Sequence, residues 1–113
     1  MDSSDQEMVE GLSGVRKLKR TDNLQVGQFV IVDFSAAGSK RQKLLMGRVE
    51  AQRKSGYEGV FMRNSSSDGS IFSFPAKEDR CSFILDNIKG TVDPPVPQRR
   101  GTWKFVGVNA KEW

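Results

Sequence analysis

Few residues of this chain have side chains that could carry out bond-making chemistry. The chain has no histidine, which removes imidazole bases, Ser–His pairs and histidine metal ligands. Cys81 is the single cysteine, and because free cysteine usually packs as a small hydrophobe we expect it to be buried. Glu78 and Asp79 are adjacent, so in a strand or turn they point apart and do not form an acid–base pair. These residue types predict a protein that is not an enzyme and that uses no metal or other cofactor.

Clusters of lysine and arginine are the second chemically informative pattern, because they favour polyanionic partners. The chain has 18 basic and 14 acidic residues, a net charge of +4. One such cluster, near the end of the chain, is Arg99, Arg100 and Lys104. The alternative interpretation of all these clusters is a solvated surface that keeps a small domain soluble. The residues that we assign to a nucleic-acid contact are Arg16, Lys17, Lys19 and Arg20 in an N-terminal arm, and Lys40, Arg41, Lys43, Arg53 and Lys54 at the two ends of the second predicted strand.

The 113 residues are enough for one domain. We predict a disordered, charged tail over residues 1–23. Its apolar residues recur at a helical spacing, but Gly11, Ser13 and Gly14 interrupt them. The folded domain is predicted over 24–93, and a proline arm with a C-terminal strand or docking tail over 94–113. No apolar run is long enough to span a membrane. The acidic start, which has no apolar leader, and the single cysteine predict an intracellular protein, nuclear or cytoplasmic.

β-Branched and aromatic residues concentrate in short runs between turn residues, which is typical of strands. The runs are 26–34, 43–50, 57–63, 71–74 and part of 81–92. Helical periodicity is absent after residue 24. This pattern predicts an all-β fold, a small antiparallel barrel of about five strands. The aromatic and aliphatic residues that we expect in its core are Phe29, Ile31, Phe61, Phe72 and Phe74.

Three of these runs resemble the strands of a Tudor-like member of the SH3-like small barrels. The motifs are Val26-Gly27-x-Phe29-Val30, Gly47-Arg48-Val49 and Tyr57-Glu58-x-x-Phe61. A closer resemblance, over about residues 24–97, is to an uncharacterised C-terminal module of animal proteins derived from mobile elements. Its motifs are similar to Tyr57-Glu58-x-x-Phe61-x-Arg63, Phe72-x-Phe74-Pro75-x-x-x-Asp79 and Asn87-Ile88. The resemblance implies an SH3-like barrel and a mobile-element origin, and it implies no particular ligand.

Tudor domains that bind methylated lysine or arginine hold the cation in an aromatic cage. One ring usually comes from the second strand, where this chain has Leu44-Leu45, and another from just after the third, where it has Arg63-Asn64. An arginine at that point repels a cation. The chain therefore departs from the pattern of a methylated-peptide reader.

Three functions remain open, and the first is favoured. The first is a non-catalytic interaction module that binds a peptide or protein partner, or a second copy of itself as a homodimer, through Trp103, Phe105 and Val106 of the C-terminal segment and through Tyr57. The segment could equally complete the protein's own barrel. The second is nucleic-acid binding through the basic residues named above. The third is a methylated-peptide reader with a degenerate cage.

Overall fold

Strands make up almost all of the regular structure. The computed structural model describes Val9, Leu12 and residues 14–18, 24–34, 44–65 and 68–113. Within those ranges there is no α-helix, only three short 3-10 helices, so the predicted all-β class is confirmed. The strands are β1 (Arg16–Lys17), β2 (Phe29–Asp33), β3 (Leu44–Arg53), β4 (Gly56–Phe61), β5 (Arg63–Asn64), β6 (Ile71–Ser73), β7 (Asp79–Phe83), β8 (Ile88–Val92), β9 (Val96–Pro97) and β10 (Thr102–Lys104).

The larger sheet has six antiparallel strands in the order β1-β8-β2-β3-β4-β7. The pairing register of β2 with β8 shifts between Ile31 and Val32, and that of β3 with β4 shifts between Val49 and Ala51. Such bulges bend a strand and increase its twist. The sheet curves but, among the described residues, does not close, because β1 and β7 each pair on one side only.

A second antiparallel sheet has the order β5-β6-β10-β9. The sequence placed 71–74 in the same barrel as the earlier strands, and this is wrong. Strand β6 instead pairs with β10 of the C-terminal segment, with Phe72 opposite Trp103. The strand that follows β4 in the larger sheet is β7. A run's own period of two predicts that it is a strand, but it does not specify the strand's partner.

Two apolar cores lie on the two sides of the larger sheet. Strand β2 contributes to both, since Val30 and Val32 pack in one core and Ile31 packs in the other, all three with no exposed surface. The first core also contains Phe61, and the second contains Phe72. Burial on both faces explains why β2 reads as a nearly continuous apolar run rather than an alternating one.

The predicted core residues have two outcomes. Ile31, Phe61 and Phe72 are buried, which confirms them as core. Phe29 and Phe74 are only partly buried and pack against the second core. Arg48 lies over the Phe74 ring, with its guanidinium carbon 4.7 Å from the ring centroid. The Phe74 ring therefore packs against the core and also lies under the Arg48 guanidinium. A cation over a ring face is attracted by the quadrupole of the ring.

Part of the predicted N-terminal tail lies in the fold. Val15 is fully buried and Leu12 is 9% exposed, and both belong to the second core. Strand β1 pairs with β8, with Arg16 opposite Thr91. This differs from the predicted disorder, because these few apolar residues gain a partner in the C-terminal segment that their own spacing does not reveal. Leu18 packs on the first core. Residues 1–8, 10, 11, 13 and 19–23 lie outside the described residues.

The C-terminal segment is also part of the fold. Phe105 and Val108 are 1% and 3% exposed, in the second core. Backbone hydrogen bonds join Phe105 N–H to the Ser70 carbonyl and Ala110 N–H to the Gly69 carbonyl. The segment thus completes its own molecule, one of the two alternatives that the sequence left open.

Candidate functional site

An open cleft of about 520 Å³ lies where the start of β3 faces the second sheet and the chain's last residues. Its volume is in the range of ligand sites, about 300–1,000 Å³. Most of its lining is apolar, and four of the lining side chains are core residues by burial. The lining residues are Leu44, Leu45 and Met46 of β3, Met62, Arg63 and Asn64 around β5, Phe72 of β6, and Ala110 and Trp113.

Trp113 forms the aromatic wall of this cleft. Its ring packs on Phe72, with centroids 5.8 Å apart and planes inclined at 32°. Its indole Nε1 is buried and has no hydrogen-bond partner. An unpaired buried N–H is costly, and most buried donors in folded proteins are satisfied.

Polar groups stand at one side of the cleft. Asn64 Nδ2 donates to the carbonyl oxygens of Asp68, at 2.9 Å, and Ile71, at 3.0 Å. Both amide hydrogens are then used, which fixes the amide and leaves Oδ1 as an acceptor. Arg63 is exposed, and it has no ion pair among the residues that the structure describes. The cleft therefore combines apolar walls with the exposed guanidinium of Arg63. One of its lining residues, Trp113, has a buried indole N–H without an acceptor.

The residues assigned to a partner contact from the sequence are not brought together as one exposed surface. Phe105 and Tyr57 are buried, 1% and 7% exposed, in different cores, so neither presents a face to a partner. Tyr57 stacks on Phe83 at 6.1 Å. Trp103 is half-buried against the second core, and Val106 is 72% exposed. Tight packing of the segment on its own molecule explains why its apolar residues are mostly unavailable.

The basic residues assigned to nucleic acid are also dispersed. Arg16 pairs with Asp93 at 2.9 Å, and Arg53 pairs with Glu58 at 3.3 Å. Lys17 lies in β1, and Lys54 lies in the turn between β3 and β4. Their neighbouring carboxylates reduce the positive potential at the first two sites. The remaining members of the set, Lys19, Arg20, Lys40, Arg41 and Lys43, lie outside the described residues.

A small ionic network lies on the outer face of β4 and β7. Glu58 accepts from both Arg53 and Arg80, and Arg80 also pairs with Glu78 at 3.2 Å. The hydrogen bonds that Arg80 donates to Glu78 and then to Glu58 raise the pKa of Arg80 above its usual value. The network lies partly on β7, the strand that carries Cys81.

Cys81 is exposed, so the prediction that it is buried is wrong. Four of the five residues of β7 are exposed, because this strand is an edge of the larger sheet and nothing in the described chain covers it. Among the described residues, no group of three or more Cys, Asp or Glu side chains could hold a metal ion. No helix in the described ranges is long and apolar enough to cross a membrane.

Trp113 and Met62 are functional candidates that the sequence did not single out as a site. Trp113 stood out in the sequence only as a large apolar residue with no assigned contact, and the cleft explains it. Comparison of the chain with models of protein families, with curated proteins and with solved structures gives no significant match.

Proposed function

We propose that this protein is a non-catalytic interaction module that binds an extended peptide in the cleft. The peptide carries one large apolar side chain next to an acidic residue. The observation that carries this proposal is the cleft itself, about 520 Å³, in which apolar walls adjoin the exposed Arg63 and the buried, unpaired indole N–H of Trp113. Sites that bind small ligands and peptide side chains have this composition, a mainly apolar lining with a few placed polar groups.

The order of strands supports an SH3-like, Tudor-like arrangement of the larger sheet. Strands β2, β3, β4 and β7 are paired in succession, and β8 returns to pair with β2. The 3-10 helix Leu85–Asn87 separates β7 from β8. In the family that the sequence resembles, the ligand cage is built on the second strand and just after the third. Leu44-Leu45 and Arg63-Asn64 occupy those places in the sequence, and both pairs line the cleft.

The side chains at these places favour an apolar and acidic ligand over a methylated cation. Leu44 and Leu45 have no ring face for a cation–π contact, and Arg63 repels a positive charge. Two aromatic residues line the cleft, Trp113 and Phe72, and Trp113 is the less buried of the two. The net charge of +4 adds a general attraction for acidic segments. A methylated-peptide reader is thus the weaker proposal.

The proposal is tested by nuclear magnetic resonance of the two indole N–H groups, Trp103 and Trp113. The probes are acetylated hexapeptides with a single Leu or Phe between glutamates, and the control peptides have lysines in place of the glutamates. We expect the Trp113 signal to shift with the acidic peptides and the Trp103 signal to stay. Unchanged Trp113 signals with every acidic peptide at millimolar concentration would overturn the proposal.

Variants of the cleft separate binding from folding. Arg63→Gln removes an exposed charge, and we expect roughly 2–5-fold weaker binding, the usual size for a surface ion pair. Leu45→Glu places a carboxylate on a half-buried wall, and it should abolish binding of the acidic peptides. Lys54→Gln makes the same charge change as Arg63→Gln on an exposed turn away from the cleft and should leave affinity unchanged. Equal loss in Arg63→Gln and Lys54→Gln would point to non-specific charge attraction.

A further inference from the structure

The C-terminal segment of this protein carries a net positive charge. Residues 94–111 contain four basic residues, Arg99, Arg100, Lys104 and Lys111, and no acidic one. The rest of the chain has the other 14 basic residues and all 14 acidic residues, so it is neutral overall. With Glu112 included, the segment 94–113, which forms β9, β10 and the last residues, has a net charge of +3.

Two of these cations stand at the tip of a tight hairpin. Strands β9 and β10 pair with Trp103 opposite Pro97, and Arg99–Gly101 connects them. The Thr102 N–H donates to the Arg99 carbonyl, and the Gln98 N–H donates to the Thr102 carbonyl at 2.8 Å. Thr102 Oγ1 also donates to the Arg99 carbonyl at 2.7 Å. These bonds hold the tip in one conformation.

The conformation of Arg100 is unusual for its residue type. Its φ is 60° and ψ is 36°, and Gly101 follows with a φ of 72°. Two successive residues with positive φ are typical of a type I′ turn, in which Asn-Gly or Gly-Gly is the usual choice. A long cation at such a position costs backbone energy that Asn or Gly would avoid. The hairpin thus presents Arg100 at a position where backbone preference alone would select another residue.

The tip arginines are free to bind. Arg99 and Arg100 are exposed, and within the described chain neither has an ion pair, whereas Arg16, Arg48, Arg53 and Arg80 all do. Lys104 is exposed on β10, two residues beyond Thr102, about 7 Å along the strand. Asp68 is a carboxylate on which the charges of Lys104 and Lys111 act. It accepts hydrogen bonds from the Ser70 N–H and hydroxyl, each at 2.8 Å. Its charge offsets only part of the segment's positive charge.

We propose that the tip of the β9–β10 hairpin binds DNA, with Arg99 and Arg100 entering the major groove of a duplex and Lys104 contacting a flanking phosphate. Strand β10 also pairs with β6 along its whole length, so the part that enters the groove is the turn Arg99–Gly101, beyond the last pair Thr102–Ser73. The two chains of a hairpin are about 5 Å apart, and the major groove of B-form DNA, about 12 Å wide, admits such a turn. Arginine pairs with phosphates and with the O6 and N7 atoms of guanine through its forked donors. The major groove of an RNA duplex is deep and narrow, so the hairpin should prefer DNA.

The test is fluorescence anisotropy of the whole chain with a labelled DNA duplex of about 20 base pairs, and with the RNA duplex of the same sequence. Binding of DNA should weaken as salt rises from 50 to 200 mM, since released counterions drive the association. With Arg99, Arg100 and Lys104 each neutralising one phosphate, the slope of log K against log salt should be near −2.7. A slope near zero, or equal affinity for a polyglutamate peptide, overturns the proposal in favour of another partner.

The matched variants are Arg99→Gln with Arg100→Asn, and Lys77→Gln with Arg80→Gln just before and in β7, each of which removes two charges. We expect the first pair to weaken DNA binding about 10-fold and to reduce the salt slope by roughly 2. The second pair should change neither by more than a factor of about 2. Because Asn suits positive φ, Arg100→Asn should not lower the melting temperature, which separates lost binding from lost folding. Equal losses in the two pairs, or an unchanged affinity in the first, overturn the proposal.

Discussion

Phe105 packs edge to face on Phe72, with ring centroids 5.4 Å apart and ring planes at 88°. It also meets Phe29 at 5.2 Å and 70°. One ring of the C-terminal segment therefore joins β6 of the second sheet to β2 of the larger sheet. Aromatic pairs in this geometry add about 0.5–1.5 kcal/mol beyond the area that they bury. The last part of the chain holds the two sheets together.

Phe105→Ala should lower the free energy of unfolding by about 3–5 kcal/mol, the usual cost of deleting a buried phenylalanine. The control is Val106→Ala, one residue away but 72% exposed, which should change it by less than about 0.5 kcal/mol. Both values come from urea unfolding followed by tryptophan fluorescence. Similar stability of the two variants would show that the segment is not part of the core.

Gly14→Ala should destabilise the fold more than Gly27→Ala does. Both glycines have positive φ, 77° and 94°, so each substitution costs about 1–2 kcal/mol in backbone strain. At Gly14 the new Cβ would also lie 2.8 Å from the carbonyl carbon and oxygen of Gly107, whereas at Gly27 nothing lies within 4 Å. The collision should add about 1–3 kcal/mol.

The measurement for this pair is the difference in melting temperature between the two variants. An equal shift would mean that the N-terminal residues around Gly14 do not dock on the C-terminal segment in solution.

Asp68→Asn should reduce the loss of folding stability that accompanies a fall in pH through the acid range. The hydrogen bonds from the Ser70 N–H and hydroxyl lower the pKa of Asp68 below its ordinary value of 3.8, and the charges of Lys104 and Lys111 act in the same direction. A lowered folded pKa stabilises the protein above the unfolded pKa, and this contribution is lost as pH falls through the folded value. Thermal unfolding from about pH 6 down to about pH 2 should show the wild type and the variant converging. A constant difference at every pH would contradict the prediction.

Cys81 should react fully with a thiol reagent in the native state. Its side chain is exposed on the edge strand β7. The count of labelled thiols, one per chain, should be the same before and after denaturation. The control is Phe83→Cys in a Cys81→Ser background, since position 83 is 4% exposed and should label only on unfolding. Protection of Cys81 in the native protein would mean that another surface covers β7.

The sequence by itself determined the local structure. Runs rich in β-branched and aromatic residues became β2, β3, β4 and β6, because side-chain shape sets the strand preference locally. The absence of histidine and the single cysteine limited the possible chemistry without any fold. Part of the candidate site was also visible, since Leu44-Leu45 and Arg63-Asn64 were the places where the resembling family builds its ligand cage.

Only the tertiary structure decided which segments meet. Phe72 pairs with Trp103 and Arg16 pairs with Thr91, partners far apart in the chain whose register no local period encodes. The burial of Val15 and Phe105 in one core depends on both ends of the described chain arriving together. Trp113 acquires a position in the cleft only through its contact with Phe72. Apolar residues are buried wherever a complementary face exists, and that face is a property of the assembled fold.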